Sequence, residues 1–319
     1  MRGHSGKTFQ VNALRFYVNL TLRIGGMDHK GFVAGLDAGL RADLLRRSDL
    51  AGLRHLSLHL GLIGGTGVWI GLGLPFWPLV LPLHGVFLVF LFTLEHEATH
   101  KTPFASAALN EAVGRACGFV LLLPFDWFRY FHLAHHRWTN IAGQDPELAG
   151  APLLTRWHWL RHVSGLPYWA AEVRLFAELV RGRMADYVPQ GARGRVVRQA
   201  RWMVAGYAAV GLSLFVTPAL FWLWLVPVVL GQPFLRLYLL AEHGDCPQVA
   251  NLFLNTRTTF TVWLVRVLAW NMPYHVEHHV MPGVPFFRLP ALHRVMKDEL
   301  RVTAAGYAAF TKGYLARRR

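Results

Sequence analysis

The sequence predicts an all-α integral membrane protein: four transmembrane helices in two hairpins, with a cytoplasmic helical cap that carries clusters of histidine. Three observations lead there. Hydrophobic residues make up 53% of 319 residues, yet Lys and Arg outnumber Asp and Glu by 33 to 18. The apolar residues gather into two long runs, each broken near its middle by proline. The cations lie outside those runs, with the exception of Arg236. A basic balance alone is also the mark of a nucleic-acid binder, but joined to long apolar runs it points to a bilayer and to no nucleic-acid partner.

The basic start of the chain runs into RFYVNLTLRIGG (15–26), not into a clean apolar core with a small-residue cleavage site. No secretory signal is therefore expected, and Met27 is an alternative start. Residues 1–53 are expected to form a cytoplasmic or interfacial segment, 54–300 the membrane domain and 301–319 a basic C-terminal tail. The first apolar run, 56–94, is too long for one span and holds Pro75 and Pro78, so it divides into helices over about 54–73 and 76–95. Its Gly61/Gly65 and Gly67/Gly71 pairs have the spacing that lets helices pack closely in lipid. GFVLLLPF (118–125) is too short to cross and is expected to be buried or re-entrant. The second run, 203–243, turns at Pro218, and Pro227 and Pro233 predict a kink in its second helix. WLVRVLAW (263–270) and TRWHWLRH (155–162) are expected at the membrane surface.

Charge placement sets the orientation. Lys and Arg number nine in residues 1–54, thirteen in 95–202 and ten after 242, whereas the turns near 74–76 and 217–220 have none. The positive-inside rule then puts both termini and the large central loop in the cytoplasm, here of a bacterial inner membrane.

The chemistry lies in the histidines. HEATH (96–100) places His96 and His100 one turn apart and spells the H-E-x-x-H of zinc proteases, with Glu97 as the base. HLAHH (132–136) and HVEHH (275–279) each put three imidazoles on one helical face, and His243 closes the fourth span. With 17 histidines in 319 residues, two H-x-x-H-H boxes arise by chance in roughly one chain in a thousand. His96, His100, His132, His135, His136, His243, His275, His278 and His279 all fall on the cytoplasmic side of the predicted topology. One zinc uses three or four ligands; nine imidazoles suit two redox metals. His4, His29, His55, His59, His84, His158, His162 and His293 are expected to be satisfied polar or interfacial groups. Cys117 and Cys246 form no C-x-x-C pair, so a thiolate metal site is not expected.

HEATH, HLAHHRWTNIAGQDPE and NMPYHVEHHVMPGVPFFRLPALH resemble the three histidine boxes of the membrane fatty acid desaturase and hydroxylase superfamily, closest to acyl-lipid desaturases, over roughly residues 55–295. The resemblance implies a four-span, mushroom-shaped fold and a non-haem di-iron centre held by the nine histidines. It also implies O2 as co-substrate and a lipid or acyl-chain substrate. His243 matches a further metal-binding histidine of stearoyl-CoA desaturases, although Leu239 stands where those enzymes have asparagine one turn earlier. Glu97, Asp145, Glu242 and Glu277 are candidates to orient ligating histidines. The sequence holds no haem, Cys-rich or flavin segment, so an external donor of ferredoxin or cytochrome type is expected. Trp127, Phe128, Tyr130 and Trp138 could line a substrate entrance or anchor the interface. Three other readings remain at this level: a lipid or carotenoid hydroxylase or ketolase of the same superfamily, a zinc membrane protease using HEATH, and a non-enzymatic metal-binding or transport protein.

Overall fold

The computed structural model describes residues 28–150 and 152–319, so His4, Met27 and most of the N-terminal segment lie outside the described residues. Two short helices, His29–Gly35 and Ala38–Leu44, lead into α1 (Asp49–Gly71), whose Ser48 hydroxyl accepts the Ala51 N–H as an N-cap. A tight turn at 72–76 sends the chain back through α2 (Trp77–Thr99), which is jointed at Phe90. Next come α3 (Ala107–Leu121) and α4 (Phe125–Trp138), meeting at 98°. The central stretch supplies α5 (Leu166–Val180) and the long α6 (Gln190–Ser213), and α7 (Phe221–His243) returns to the site. After α7 come β1 (Thr258–Thr259), the one-and-a-half-turn α8 (His275–Val280), β2 (Thr303–Ala304) and α9 (Tyr307–Ala316).

Among the described residues two helices, α2 and α7, are long and apolar enough to cross a membrane, and the bent α3–α4 pair is a third candidate. The first helix of each predicted hairpin is equally long but less apolar. α1 carries Arg54, His55 and His59, and α6 begins at Gln190, with Arg193, Arg195, Arg198 and Arg201 in its first half. The stretch 118–125 is the end of α3 and the bend into α4; Leu122 takes a left-handed conformation there, and Leu121, Leu123 and Phe125 are buried. WLVRVLAW splits in two: Trp263 and Leu264 are exposed, whereas Trp270 is buried and donates its indole N–H to His59 Nδ1 at 3.1 Å.

Of the four predicted glycines only Gly67 touches a neighbouring helix among the described residues: a Cβ there would lie 3.6 Å from His84 Cε1 of α2, an ordinary contact. A Cβ on Gly61, Gly65 or Gly71 would meet nothing within 4 Å. The close crossing joins α2 to α7: a Cβ on Gly85 would lie 2.0 Å from the Pro227 carbonyl oxygen, and one on Gly231 2.3 Å from that of Gly85. Two backbones in contact leave no room for a side chain. α1 is tied to its neighbours by polar groups, as expected of its histidines. His59 Nε2 lies 2.8 Å from the Phe87 carbonyl, and His84 bridges Thr66 Oγ1 at 2.7 Å and the Leu223 carbonyl at 2.9 Å.

Residues 301–319 are not a free tail. β2 pairs in parallel with β1, Phe310 and Tyr314 of α9 pack on Ala241 of α7, and Arg317 and Arg318 pair with Asp245. Cys117 and Cys246 are both buried free thiols.

The α2–α7 contact predicts that Gly85→Leu costs at least the 1–3 kcal/mol typical of overpacking. It should lower the melting temperature in detergent, while Gly65→Leu, facing open space, should leave it unchanged.

Candidate metal centre

All nine histidines lie at or near helix ends. His96 and His100 close α2, with His100 as its C-cap; His132, His135 and His136 occupy the last two turns of α4; His243 ends α7. His275, His278 and His279 lie on α8, a helix anchored by the Val276 N–H donating to Thr258 Oγ1 at 3.3 Å. Six of the nine are buried, His100, His136 and His243 are partly buried, and His278 is fully buried.

The imidazoles sort into two groups. His96, His100, His132, His136 and His278 each direct one nitrogen into a space where those atoms lie within 4.8 Å of one another, and His135, His243 and His279 do the same. His275 joins the second group, its Nε2 lying 3.1 Å from Nε2 of both His243 and His279. The groups adjoin: the rings of His136 and His279 stack with centroids 4.1 Å apart.

These residues fit metal ions. Bonds of about 2.0–2.1 Å to two imidazoles at right angles place their nitrogens roughly 3 Å apart. The Nε2 pairs His100–His132 and His136–His278 are 2.9 and 3.2 Å apart, matching that spacing. Ligating imidazoles must also be neutral. Burial, reinforced by neighbouring imidazoles, holds His275 and His279 well below the usual range, and burial brings His278 down to about 3.

The opposite ring nitrogens face fixed groups. His135 Nδ1 lies 2.9 Å from Asp145, whose oxygens also accept the N–H groups of Asn140 at 2.6 Å and Glu147 at 2.9 Å. Burial would push the Asp145 carboxyl up, but His135 and these N–H groups hold it below its ordinary range. Burial likewise works to lower His135, and the Glu147 and Asp145 carboxylates outweigh it and raise the imidazole. Glu97 lies 3.3 Å from His278 Nδ1 and Glu242 lies 3.4 Å from His275 Nδ1, both outside good hydrogen-bond geometry. The other Glu97 oxygen accepts from Thr102 Oγ1 at 2.9 Å and from the Phe286 N–H at 3.1 Å, so its surroundings are those of a positioned carboxylate. Glu277 touches none of the nine; it engages Thr258 Oγ1 and His293 Nδ1 instead.

Two positioning groups escaped the sequence reading. The Asn255 carbonyl receives His243 Nδ1 at 3.1 Å, while the Asn255 side-chain amide donates to the Thr139 carbonyl at 2.8 Å. Thr139 Oγ1 in turn lies 3.2 Å from His279 Nδ1. The one available signal was a polar run, NTRTT (255–259), that is buried here despite its composition.

The chain matches the family model described as fatty acid desaturase over residues 74–311. It is 25% identical to the sn-1 oleoyl-lipid 12-desaturase of a Picosynechococcus strain, covering 73% of each chain. It is 21% identical to the chloroplastic omega-6 fatty acid desaturase of Glycine max over 69% of this chain and 56% of that one. It is 26% identical to the dihydrorhizobitoxine desaturase of Bradyrhizobium elkanii over 73% of this chain and 69% of the other.

Two outcomes follow from the geometry. Asp145→Asn keeps the shape but removes the charge that orients His135, and should weaken metal retention by the second group about 10–100-fold, read by equilibrium dialysis. Because a proton competes with metal for His135, whose pKa is raised above 6.5, affinity of its group falls as pH drops through that value. The first group, with His278 at about 3, should hold its metal to lower pH. Acidification should therefore release metal in two steps, the first blunted in Asp145→Asn.

Proposed function

Because the chain belongs to the fatty acid desaturase family, we propose that it is a membrane oxidoreductase that inserts a double bond into an acyl chain at a histidine-ligated di-iron centre. The observation that carries this reading is the pair of adjoining imidazole groups, five and four strong. Two irons bound there would supply the reduction of O2 and the oxidising power to break an unactivated C–H bond. The overall conversion removes two hydrogens and consumes O2, two electrons and two protons, yielding an alkene and two waters. The electrons come from an external ferredoxin- or cytochrome-type donor, for which the basic surface is electrostatically suited.

This chain's own residues supply position and dryness. Asp145, Asn255 and Thr139 fix the rings of His135, His243 and His279, while Glu97 and Glu242 face His278 and His275 without a hydrogen bond. Leu94, Ala98, Phe125, Phe128 and Val276, all buried, pack around the histidine-bearing helices and keep bulk water from reactive species. In the bilayer we take α1, α2, α6 and α7 as the four spans, with α6 projecting its arginine-rich half into the cytoplasm and the metal centre on that side.

Protein purified from iron-replete cells should hold close to two irons per chain with the Mössbauer signature of a coupled pair. His278→Ala should lose that signature and at least 100-fold of any activity. Lipids of expressing cells should gain a double bond; a gained hydroxyl would assign the hydroxylase branch instead. One zinc per chain and no iron would overturn the proposal.

A further inference from the structure

One residue before the first box, α2 buries a carboxylate that no group among the described residues satisfies. Glu95 is 0% exposed, and neither of its oxygens has a hydrogen-bond partner. Its Oε1 sits against Gly118 of α3, where a Cβ would be only 2.8 Å away, so the bare glycine backbone is what admits it. Glu172 of α5 is buried as well, with Oε2 unpartnered. A third acceptor comes from α7: Gln232 is 2% exposed, its Oε1 is unpartnered, and its side chain packs on Gly165, at whose position a Cβ would meet Cγ at 2.8 Å.

These groups converge between α2, α3, α5 and α7. Tyr168, Glu172 and Phe176 recur every four residues and share one face of α5. Phe176 packs edge-on against Tyr207 of α6 at 5.7 Å, and Tyr207 donates its hydroxyl to the Phe119 carbonyl at 3.0 Å, beside Gly118. Glu172 is within electrostatic reach of both Glu95 and Arg236. The Arg236 guanidinium lies 4.4 Å over the Tyr168 ring, with its Nε unpartnered. The arginine thus stacks on an aromatic and leaves the carboxylate oxygens free.

An unmet buried polar atom costs about 1–3 kcal/mol, and more when charged. A simple hydrocarbon channel would place leucine at 95 and 172 and avoid that cost. Instead four acceptor oxygens, two on Glu95 and one each on Glu172 and Gln232, are gathered from three helices. An ammonium carries three donors and a positive charge; a hydroxyl offers one donor, and a carboxylate or phosphate none. We propose that Glu95, Glu172 and Gln232 form a subsite for an amine carried by the substrate, beside the metal centre. Glu95 and the metal-box residue His96 are consecutive, so their Cα atoms are about 3.8 Å apart and their side chains leave the helix about 100° apart. An amine held there keeps the carbons a few bonds away near the metal-facing side of α2. The desaturase reading is needed for the reaction that follows, not for the binding.

The test is isothermal titration of the full-length, iron-loaded protein in lipid nanodiscs with decylamine, decanol and decanoic acid. Partitioning into lipid differs among the three ligands, so each titration into empty nanodiscs is subtracted; between variants it cancels. Decylamine should bind at least tenfold more tightly than either of the others, and that preference should fall at least tenfold in Glu172→Gln and in Glu95→Gln. Equal binding of the three ligands, or a preference that survives both substitutions, would overturn the subsite and leave solvent as the occupant of the cluster. Should Glu95→Gln shed metal, Glu172→Gln decides alone, since α5 bears none of the nine histidines. An inactive protein that keeps the amine preference would remove the desaturase reading and leave the subsite; an active desaturase without the preference would do the reverse.

Discussion

Everything in this fold answers to one constraint: nine imidazoles must be drawn out of water, kept neutral except at His135, where carboxylates oppose burial, and aimed at two small volumes. Burial supplies the neutrality, since removing water disfavours the imidazolium and leaves a lone pair for a metal. It also creates the difficulty, because nitrogens about 3 Å apart have few other partners in a dry interior. Helix ends resolve the geometry. A histidine in the last turn can point beyond the helix axis, and the negative end of the helix dipole favours the cation it helps to hold. α2, α4 and α7 all deliver their histidines in this way. Metal binding and the final packing of the cap are thus expected to be coupled, as the free site is a cluster of desolvated lone pairs.

The membrane helices matter to that centre chiefly by setting where their ends lie. α2 ends in HEATH and α7 ends in His243, and the backbone contact between Gly85 and Gly231 fixes the separation of those ends from the middle of both helices. A displacement at the crossing would be passed along both helices toward the histidines, with the joint at Phe90 between Gly85 and His96. The polar ties of His59 and His84 hold α1 against this pair, and the return of α9 onto Ala241 braces α7 from the other side. The C-terminal residues therefore act on the centre indirectly, through the helix that carries His243.

How much of this the sequence discloses depends on whether the information is local. The H-x-x-H-H boxes are legible because three imidazoles three and four residues apart must share a helical face, and α4 and α8 present them so. Asp145 is legible too, being ten residues from His135 across a single turn. The division into five and four is not legible: His278 leaves its neighbours on α8 to join the group built from α2 and α4. Nor could spacing separate Glu277, which serves His293, from Glu97, which faces His278 across a sequence separation of more than one hundred residues. The glycines mislead for the same reason. Gly61 and Gly65 have the right periodicity, but contact depends on which face meets a neighbour, and α1 meets α2 through Thr66 and His84 instead. Of the apolar runs, the ones that match membrane crossing outright are the second halves of the two predicted hairpins, because α1 and α6 dilute their apolar faces with arginine and histidine.

Family membership and substrate choice are written in different residues. In the proposed reading the histidine set defines the reaction and is indifferent to what lies a few carbons away. Specificity must come from the walls, and there hydrocarbon and polar linings behave unequally. An apolar wall separates substrates differing by one methylene only weakly, whereas a site built to receive an N–H rejects the analogue that lacks it by several orders of magnitude, because its own buried oxygens are then left unpaired. Glu95 and Gln232 carry such oxygens within the helical core, one of them a single residue from a metal-box histidine. A fold that needed only to slide methylenes past the metals would gain stability by replacing both with leucine. Retaining them lowers the stability of the empty protein and raises its discrimination, the exchange expected where the polar end of the substrate, rather than its length, decides what is oxidised.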